Sequence, residues 1–268
     1  MAGNGNPKRS VEELAAHVFG CKPLEIYFKE MSAAQEEHLE ILIDRAELGE
    51  PIQYIIGHVD FRGLEIRCDR RALIPRPETE QLVEQVLQAA QRSEVRSQRA
   101  VKIADIGTGT GCIALALLAE LPNATVTAID ISADALALAR ENAERLGLRG
   151  RFQALENNLL EGFEPASLDI VVSNPPYIFS NIWKNLEPCV RDFEPQLALD
   201  GGADGLDLIR PLVAQAARVL KPGGTLFLEV GYDQGEAVIQ CLEGHGFQQV
   251  EVRKDLAGLD RIVHGKII

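Results

Sequence analysis

Between residues 10 and 50, apolar side chains recur three and four places apart: Val11, Leu14, Ala15 and Val18, then Leu39, Ile41, Leu42, Ile43 and Leu48, all among charged neighbours. That spacing places them on one face of a helix, so the stretch predicts helix throughout and a small helical domain over residues 1–50. Gly49 and Pro51 end it. The next stretch, PIQYIIGHVDFRGLEIRCD, alternates apolar and polar positions as paired strands do, with Arg62-Gly63 at the turn. It predicts a hairpin, and residues 51–72 are read as a bridge between domains.

Past Pro75 and Pro77 the pattern changes. A helix is expected over about 78–92, followed by a polar connector, SEVRSQR, that ends before Ala100. Strand-like and helix-like runs then alternate: VKIADI, the helix CIALALLAEL, ATVTAID, the helix ADALALARENAERLG, and LDIVVS. This rhythm predicts an α/β fold, a parallel sheet with helices on both faces, occupying residues 73–268. A helix near 206–220, a KPGG turn, the strand TLFLEV, a helix near 234–243 and the strands FQQVEV and RIVHGKII complete it. Residues 178–205 have little periodicity, and a loop of that length inside a compact domain is usually functional.

Composition narrows the options. With 46% hydrophobic and 25% charged residues in 268, the chain has ordinary globular composition. Forty acidic against 27 basic side chains leave a formal charge of −13, a sign that repels phosphate backbones and argues against a nucleic-acid partner. The five cysteines, Cys21, Cys68, Cys112, Cys189 and Cys241, form no CxxC pair, so neither a metal site nor a disulfide framework is expected. No signal-peptide core and no apolar run of about 18 residues occurs, so no membrane association is expected and a cytoplasmic location is.

The candidate chemistry lies at strand ends. ADIGTGTG places glycines at 107, 109 and 111 between a strand and a helix, where the chain must turn sharply and a ligand can touch backbone N–H groups. An ordinary glycine-rich turn has the same look. The dinucleotide fingerprint G-x-G-x-x-G/A fails at Cys112, and the spacing G-x-G-x-G suits a cofactor without pyrophosphate. Asp130 ends the next strand, where its carboxylate can accept hydrogen bonds from both hydroxyls of a ribose. It could instead cap the following helix, although Ser132 is the better candidate for that.

Asn174-Pro175-Pro176-Tyr177 follows LDIVVS directly. A rigid turn is one reading. The other is chemical: an amide or aromatic amino nitrogen is a poor nucleophile because its lone pair is delocalised, so it must be aimed at a sulfonium methyl. Two fixed acceptors on its N–H groups achieve this. The Asn174 side-chain oxygen and the Pro175 carbonyl are candidates, the latter held by the locked φ of proline, and Tyr177 offers an aromatic face to a flat acceptor. The motif supplies no general base.

Taken together, strand-GTGTG, Asp130 and VSNPPYI resemble class I (Rossmann-like) methyltransferases. LIPRPETE (73–80), the EP…AL segment (194–199), GGADGL (201–206) and DLAGLDR (255–261) resemble the HemK/PrmC family from about Pro51 to the end. The resemblance implies S-adenosyl-L-methionine as cofactor, with S-adenosyl-L-homocysteine as product, and class I peptide chain release factors as partners. The acceptor would be N5 of the glutamine in their Gly-Gly-Gln motif. Carried over residue by residue, Gly107, Thr108, Gly109, Thr110 and Gly111 line the methionine part, Asp130 holds the ribose, and Asn174 borders both cofactor and acceptor. Pro175, Pro176 and Tyr177 complete the glutamine site, with Asn174, Pro175 and Tyr177 acting in catalysis. Near the adenine the family usually has Ser-Asp or Gly-Asp, whereas this chain has Asn157-Asn158 and then Leu159. PRPETE is read as closing over the cofactor, or as a solvated helix start with favourably placed charges.

An adenine N6-methyltransferase acting on nucleic acid is the main alternative, because the exocyclic amine poses the same problem and is served by the same tetrad. Net charge, PRPETE and the lack of room for a base-reading domain favour a protein amide. A non-catalytic binding module is disfavoured by the intact Asn174 and Asp130.

Overall fold

Proline and glycine divide the N-terminal helical region more finely than its apolar spacing suggests. The computed structural model describes residues 7–97 and 100–268. Helix α1 (Pro7–Phe19) stops at Gly20, which has a left-handed φ of 61°, and a 3-10 turn follows at Pro23–Phe28. Helix α2 (Ala33–Glu47) starts at a capping box: the Ser32 hydroxyl accepts from Gln35 N–H, and the Gln35 side chain accepts from Ser32 N–H. A third helix, α3 (Ile52–Ile56), takes residues expected to be strand. Both periods fit five residues as apolar as IQYII, and as a helix the run buries Ile52, Tyr54 and Ile55. Ile52 and Ile55 join Leu14 and Leu42 in a separate apolar cluster.

The expected hairpin is shorter and begins at His58. Strands β1 (His58–Phe61) and β2 (Leu64–Arg67) pair antiparallel across Arg62 and Gly63, with φ of 51° and 75°. Two positive φ values suit the right-handed twist of the flanking strands. Phe61 and Ile66 are buried against the main core, while Arg62 reaches back to Glu84 and Glu120.

Helix α4 (Pro77–Ser97) runs five residues past its expected end. It absorbs most of the polar connector, of which residues 98–99 lie outside the described residues. Alternation then follows: β3 (Val101–Ile106), α5 (Cys112–Glu120), β4 (Ala124–Asp130), α6 (Ala133–Arg145), β5 (Phe152–Glu156) and β6 (Leu168–Ser173). Beyond the long loop with its one-turn helix α7 (Pro188–Arg191) come α8 (Ile209–Val219), β7 (Leu220–Glu229), α9 (Gly235–Gly244), β8 (Gln248–Lys254) and β9 (Asp260–Lys266). The KPGG turn lies inside β7, where pairing with β6 slips between Leu168 and Ile170.

Among the described residues the main sheet has seven strands in the order β5-β4-β3-β6-β7-β9-β8. Five are parallel, and β9 runs antiparallel to both β7 and β8. Helices α4 and α5 fill one face and α8 and α9 the other. Helix α5 is buried from Cys112 to Leu118, as befits a helix apolar all round. The order reverses between β3 and β6, and a crevice opens outside the carboxyl ends of strands at such a switch point. The glycine loop leaves β3 there, and the NPPY tetrad leaves β6. No helix among the described residues is long and apolar enough to cross a membrane.

Candidate active site

The glycine loop is built from beneath. Asp105, fully buried at the end of β3, accepts the Thr108 hydroxyl at 2.6 Å and the Ala114 N–H at 3.2 Å, tying the loop to the start of α5. Burial pushes its carboxyl up to about 7, against both hydrogen bonds. Gly107 and Gly109 have φ of 66° and 55°, which an L side chain rarely adopts. A Cβ on Gly107 would meet only open space. Gly111 does a different job: its Cβ position is 3.2 Å from Ala139 and 3.3 Å from Leu115, so it lets α5 and α6 approach.

Asp130 is held by two backbone amides. Oδ2 accepts from Gly109 N–H at 3.0 Å and Oδ1 from Ser132 N–H at 2.9 Å, while the Ser132 hydroxyl caps α6 through Ala135 N–H. A carboxylate has about four acceptor positions, so two remain. Burial raises its pKa above the ordinary value, opposed by those N–H groups. Asn157 N–H donates to the Asp130 carbonyl, bringing Asn157, Asn158 and Leu159 alongside. Leu159 has a positive φ of 52°, and the Asn157 amide donates to its carbonyl.

One cavity is lined by Gly107, Thr108, Gly109, Thr110, Asp130, Asn158 and Leu159. Gly111 is outside its wall. Residues 71–76 line it as well, so part of the LIPRPETE segment borders the cavity. The start of α4 is nonetheless a helix start as well, with Pro77 in its first turn beside Glu78 and Glu80. Asn174 and Pro176 sit on the wall shared with a second cavity, which Pro175 and Tyr177 also line.

The long loop clamps the tetrad. Ile178 N–H donates to the Leu199 carbonyl, and Gly201 N–H returns to the Ile178 carbonyl. A Cβ on Gly201 would lie 2.8 Å from the Pro176 carbonyl oxygen, and one on Gly205 would lie 2.4 Å from that of Tyr177. Only glycine permits this approach. The Gln234 amide donates to the Tyr177 carbonyl at 3.0 Å. Glu194, its side chain 1% exposed, accepts from Ile74 N–H and pairs with Arg76 at 2.5 Å, fastening loop to wall.

Two residues to which the sequence reading gave no role, Thr79 and Glu229, tie the tetrad to α4 and β7. Thr79 donates to Glu229 Oε2 at 2.7 Å and accepts from the Asn174 amide nitrogen at 3.1 Å, and the Tyr177 hydroxyl donates to Glu229 Oε1 at 3.3 Å. Asp255 caps the DLAGLDR turn and pairs with Arg261, which lines the second cavity. Among the described residues, no group of three or more His, Cys, Asp and Glu could hold a metal ion.

A model of the methyltransferase small domain matches residues 81–183, and one of the PrmC N-terminal domain matches residues 1–57. The release factor glutamine methyltransferase of Caulobacter vibrioides is 42% identical, covering 96% of this chain and 87% of its own. That of Agrobacterium fabrum is 41% identical, covering 98% and 91%. The ribosomal protein L11 methylase of Lactobacillus delbrueckii subsp. bulgaricus shares the fold, with a TM-score of 0.51, 20% identity, and coverage of 74% of this chain and 82% of that one. With identity of this order sustained along almost its whole length, the chain belongs to the release factor glutamine methyltransferase family.

Proposed function

We propose that this enzyme transfers a methyl group from S-adenosyl-L-methionine to the side-chain amide N5 of the glutamine in the Gly-Gly-Gln motif of class I peptide chain release factors. The observation that carries the reading is the position of Asn174, on the wall between the two cavities with its amide nitrogen tied to Thr79. Its oxygen is the end left to accept a hydrogen bond.

The residues present fit the cofactor. Open space faces Gly107, and Asp130 keeps two acceptor positions for ribose hydroxyls while its other two are filled. Gly107, Thr108, Gly109 and Thr110 would line the methionine part, and Asn158 with Leu159 the adenine end. Gly111 supports them from behind. Bound there, S-adenosyl-L-methionine supplies an electrophilic methyl on sulfur.

Across the wall, Asn174 Oδ1 and the Pro175 carbonyl accept the two N–H protons of the glutamine, and Pro176 and Tyr177 flank the flat amide. This turns the nitrogen lone pair towards the methyl, and positioning of this kind removes much of the entropic part of a barrier. As the N–C bond formed, the S–C bond would break and S-adenosyl-L-homocysteine would leave as a neutral thioether; the nitrogen would shed its proton to water only afterwards, so no base is needed beforehand.

In this reading, residues 1–50 form a helical domain that recognises the protein partner, 51–72 join it, and 73–268 carry out transfer in the cytoplasm. A formal charge of −13 and the cost of extruding a base from a duplex both disfavour nucleic acid. The test is labelled methyl transfer to a release factor, to the same factor with its Gly-Gly-Gln glutamine replaced, and to DNA at matched salt. Label is expected on the first alone. Labelled DNA with an unlabelled release factor would overturn the proposal in favour of an adenine acceptor.

A further inference from the structure

Thr79 and Glu229 close a ring beneath the tetrad. Glu229 ends β7 with 1% of its surface exposed, and Thr79 stands in the first turn of α4 with 2%. Strand β7 lies beside β6, Leu228 opposite Ser173, which brings Glu229 under both ends of Asn174–Tyr177. From Asn174 the hydrogen bonds run to Thr79, to Glu229 and back to Tyr177.

The direction of each bond follows from proton counting. An ionised carboxylate only accepts, and a threonine hydroxyl has one proton. When the ionised Glu229 accepts a hydrogen bond from that hydroxyl, the Thr79 oxygen can face Asn174 only as an acceptor. The amide must then present its nitrogen to Thr79 and its oxygen to the cavity. A neutral Glu229 can instead donate to Thr79, whose proton is then free for the Asn174 oxygen. The amide turns over, and its NH₂ meets the NH₂ of the substrate.

We propose that Thr79 and Glu229 are positioning residues that hold the Asn174 oxygen towards the acceptor nitrogen, with the ionised form of Glu229 productive and its neutral form presenting the wrong end. The inference rests on the reading of Asn174 as an acceptor for the glutamine amide.

The surroundings of Glu229 allow both forms near neutrality. Burial pushes its carboxyl up to about 7; Thr79, Tyr177 and the positive charge of Arg261 on β9 oppose the rise, and Glu78 on α4 adds to it. Burial also raises the Tyr177 hydroxyl and the Cys112 thiol of α5, so both stay neutral and Tyr177 can only donate to the carboxylate. Arg76, on the wall of the same cavity, opposes the rise at Tyr177.

The experiment measures turnover at saturating cofactor and release factor, from about pH 6 to about pH 9, for the wild type and for Glu229→Gln, Thr79→Val, Thr79→Ser and Asn174→Ala. Wild-type turnover should rise through about pH 7 as Glu229 ionises and then level off. Glutamine cannot titrate, so Glu229→Gln should lose that rise. Thr79→Val should lower kcat by roughly tenfold to a hundredfold, with KM and calorimetric cofactor affinity unchanged, and Thr79→Ser should restore it. A shape-preserving valine that acted only on packing would shift the melting temperature and leave this kcat–KM split absent.

Wild-type kcat in folded Thr79→Val, or an unaltered pH rise in folded Glu229→Gln, overturns the inference. If Glu229→Gln does not fold, the two Thr79 variants decide. Asn174→Ala separates the two levels: it should lose about 10²–10³ in turnover. Its full activity would remove the reading of Asn174 itself, whereas its loss beside an active Thr79→Val removes only the ring.

Discussion

Asp130 and Asp105 end adjacent parallel strands, yet their surroundings give them opposite consequences. Asp130 has two amide donors and room for two more, so Asp130→Ala should remove a charge-assisted pair worth roughly 1.5–3 kcal/mol and weaken cofactor binding about tenfold or more. Calorimetry on the folded variant checks this, and unchanged affinity would contradict the ribose assignment. Asp105 has no partner for Oδ1 and is pushed up to about 7. An unfolded aspartate titrates near 3.9. Between those values the fold keeps a proton the open chain has released, so stability falls as pH rises through the window. Asp105→Asn should therefore gain stability over the wild type as pH rises from about 4 to above 7, measured by urea unfolding at several pH values. A difference independent of pH would refute the unpaired charge as its cause. Asp130 and Asn174 stand out in the sequence as candidates because each lies at a strand end beside a motif. Thr79 and Glu229 do not, since Thr79 meets Asn174 across 95 positions and Glu229 across 150. The resemblance puts Gly111 with the cofactor, and its close neighbours Ala139 and Leu115 give it a packing role besides.

The elements that alternate cleanly were readable, and those without their own period were not. Residues 178–205 show no rhythm because they are organised by backbone contact with the tetrad, through Ile178, Leu199 and the glycines of GGADGL. The sequence pattern predicts strand where α3 forms because five mostly apolar residues suit either period. Strand β5 went unread: it is an edge strand with only Phe152 buried. One fastening of the loop is ionic, the pair of Glu194 with Arg76. Glu194→Ala would leave the Arg76 guanidinium, 16% exposed, without its partner. Breaking a buried pair on one side costs about 3–5 kcal/mol, and the partial exposure of Arg76 places the expected loss at the lower end. Urea unfolding measures it, and turnover should fall as the loop loosens. A loss below about 1 kcal/mol would class the pair with surface bridges.

At the scale of the molecule, the N-terminal helices carry apolar surface that the fold leaves uncovered. Leu24 is 79% exposed and Phe28 89%, both on the turn between α1 and α2. Such a patch suits a protein partner better than a small ligand. Replacing Leu24 and Phe28 with Asp should raise KM for intact release factor at least severalfold and leave cofactor affinity unchanged. Equal loss of both would mean the helices only support the fold. One link to the rest of the fold is made by α3, where the Tyr54 hydroxyl donates to the Ala72 carbonyl at 2.7 Å.

The ring that orients Asn174 also sets a timetable. Its members come from the start of α4, the end of β6 and the end of β7, and β7 is laid down only after three-quarters of the chain has been made. Contacts of such long range are slow to close, and helices α4 to α6 can form from local sequence well before them. A chain emerging from the ribosome should therefore acquire its cofactor-side loop early and remain unable to aim an acceptor until β7 docks beside β6. On dilution from denaturant, the helical circular dichroism signal and cofactor binding should return ahead of methyl transfer, leaving an interval in which the enzyme is loaded and inert.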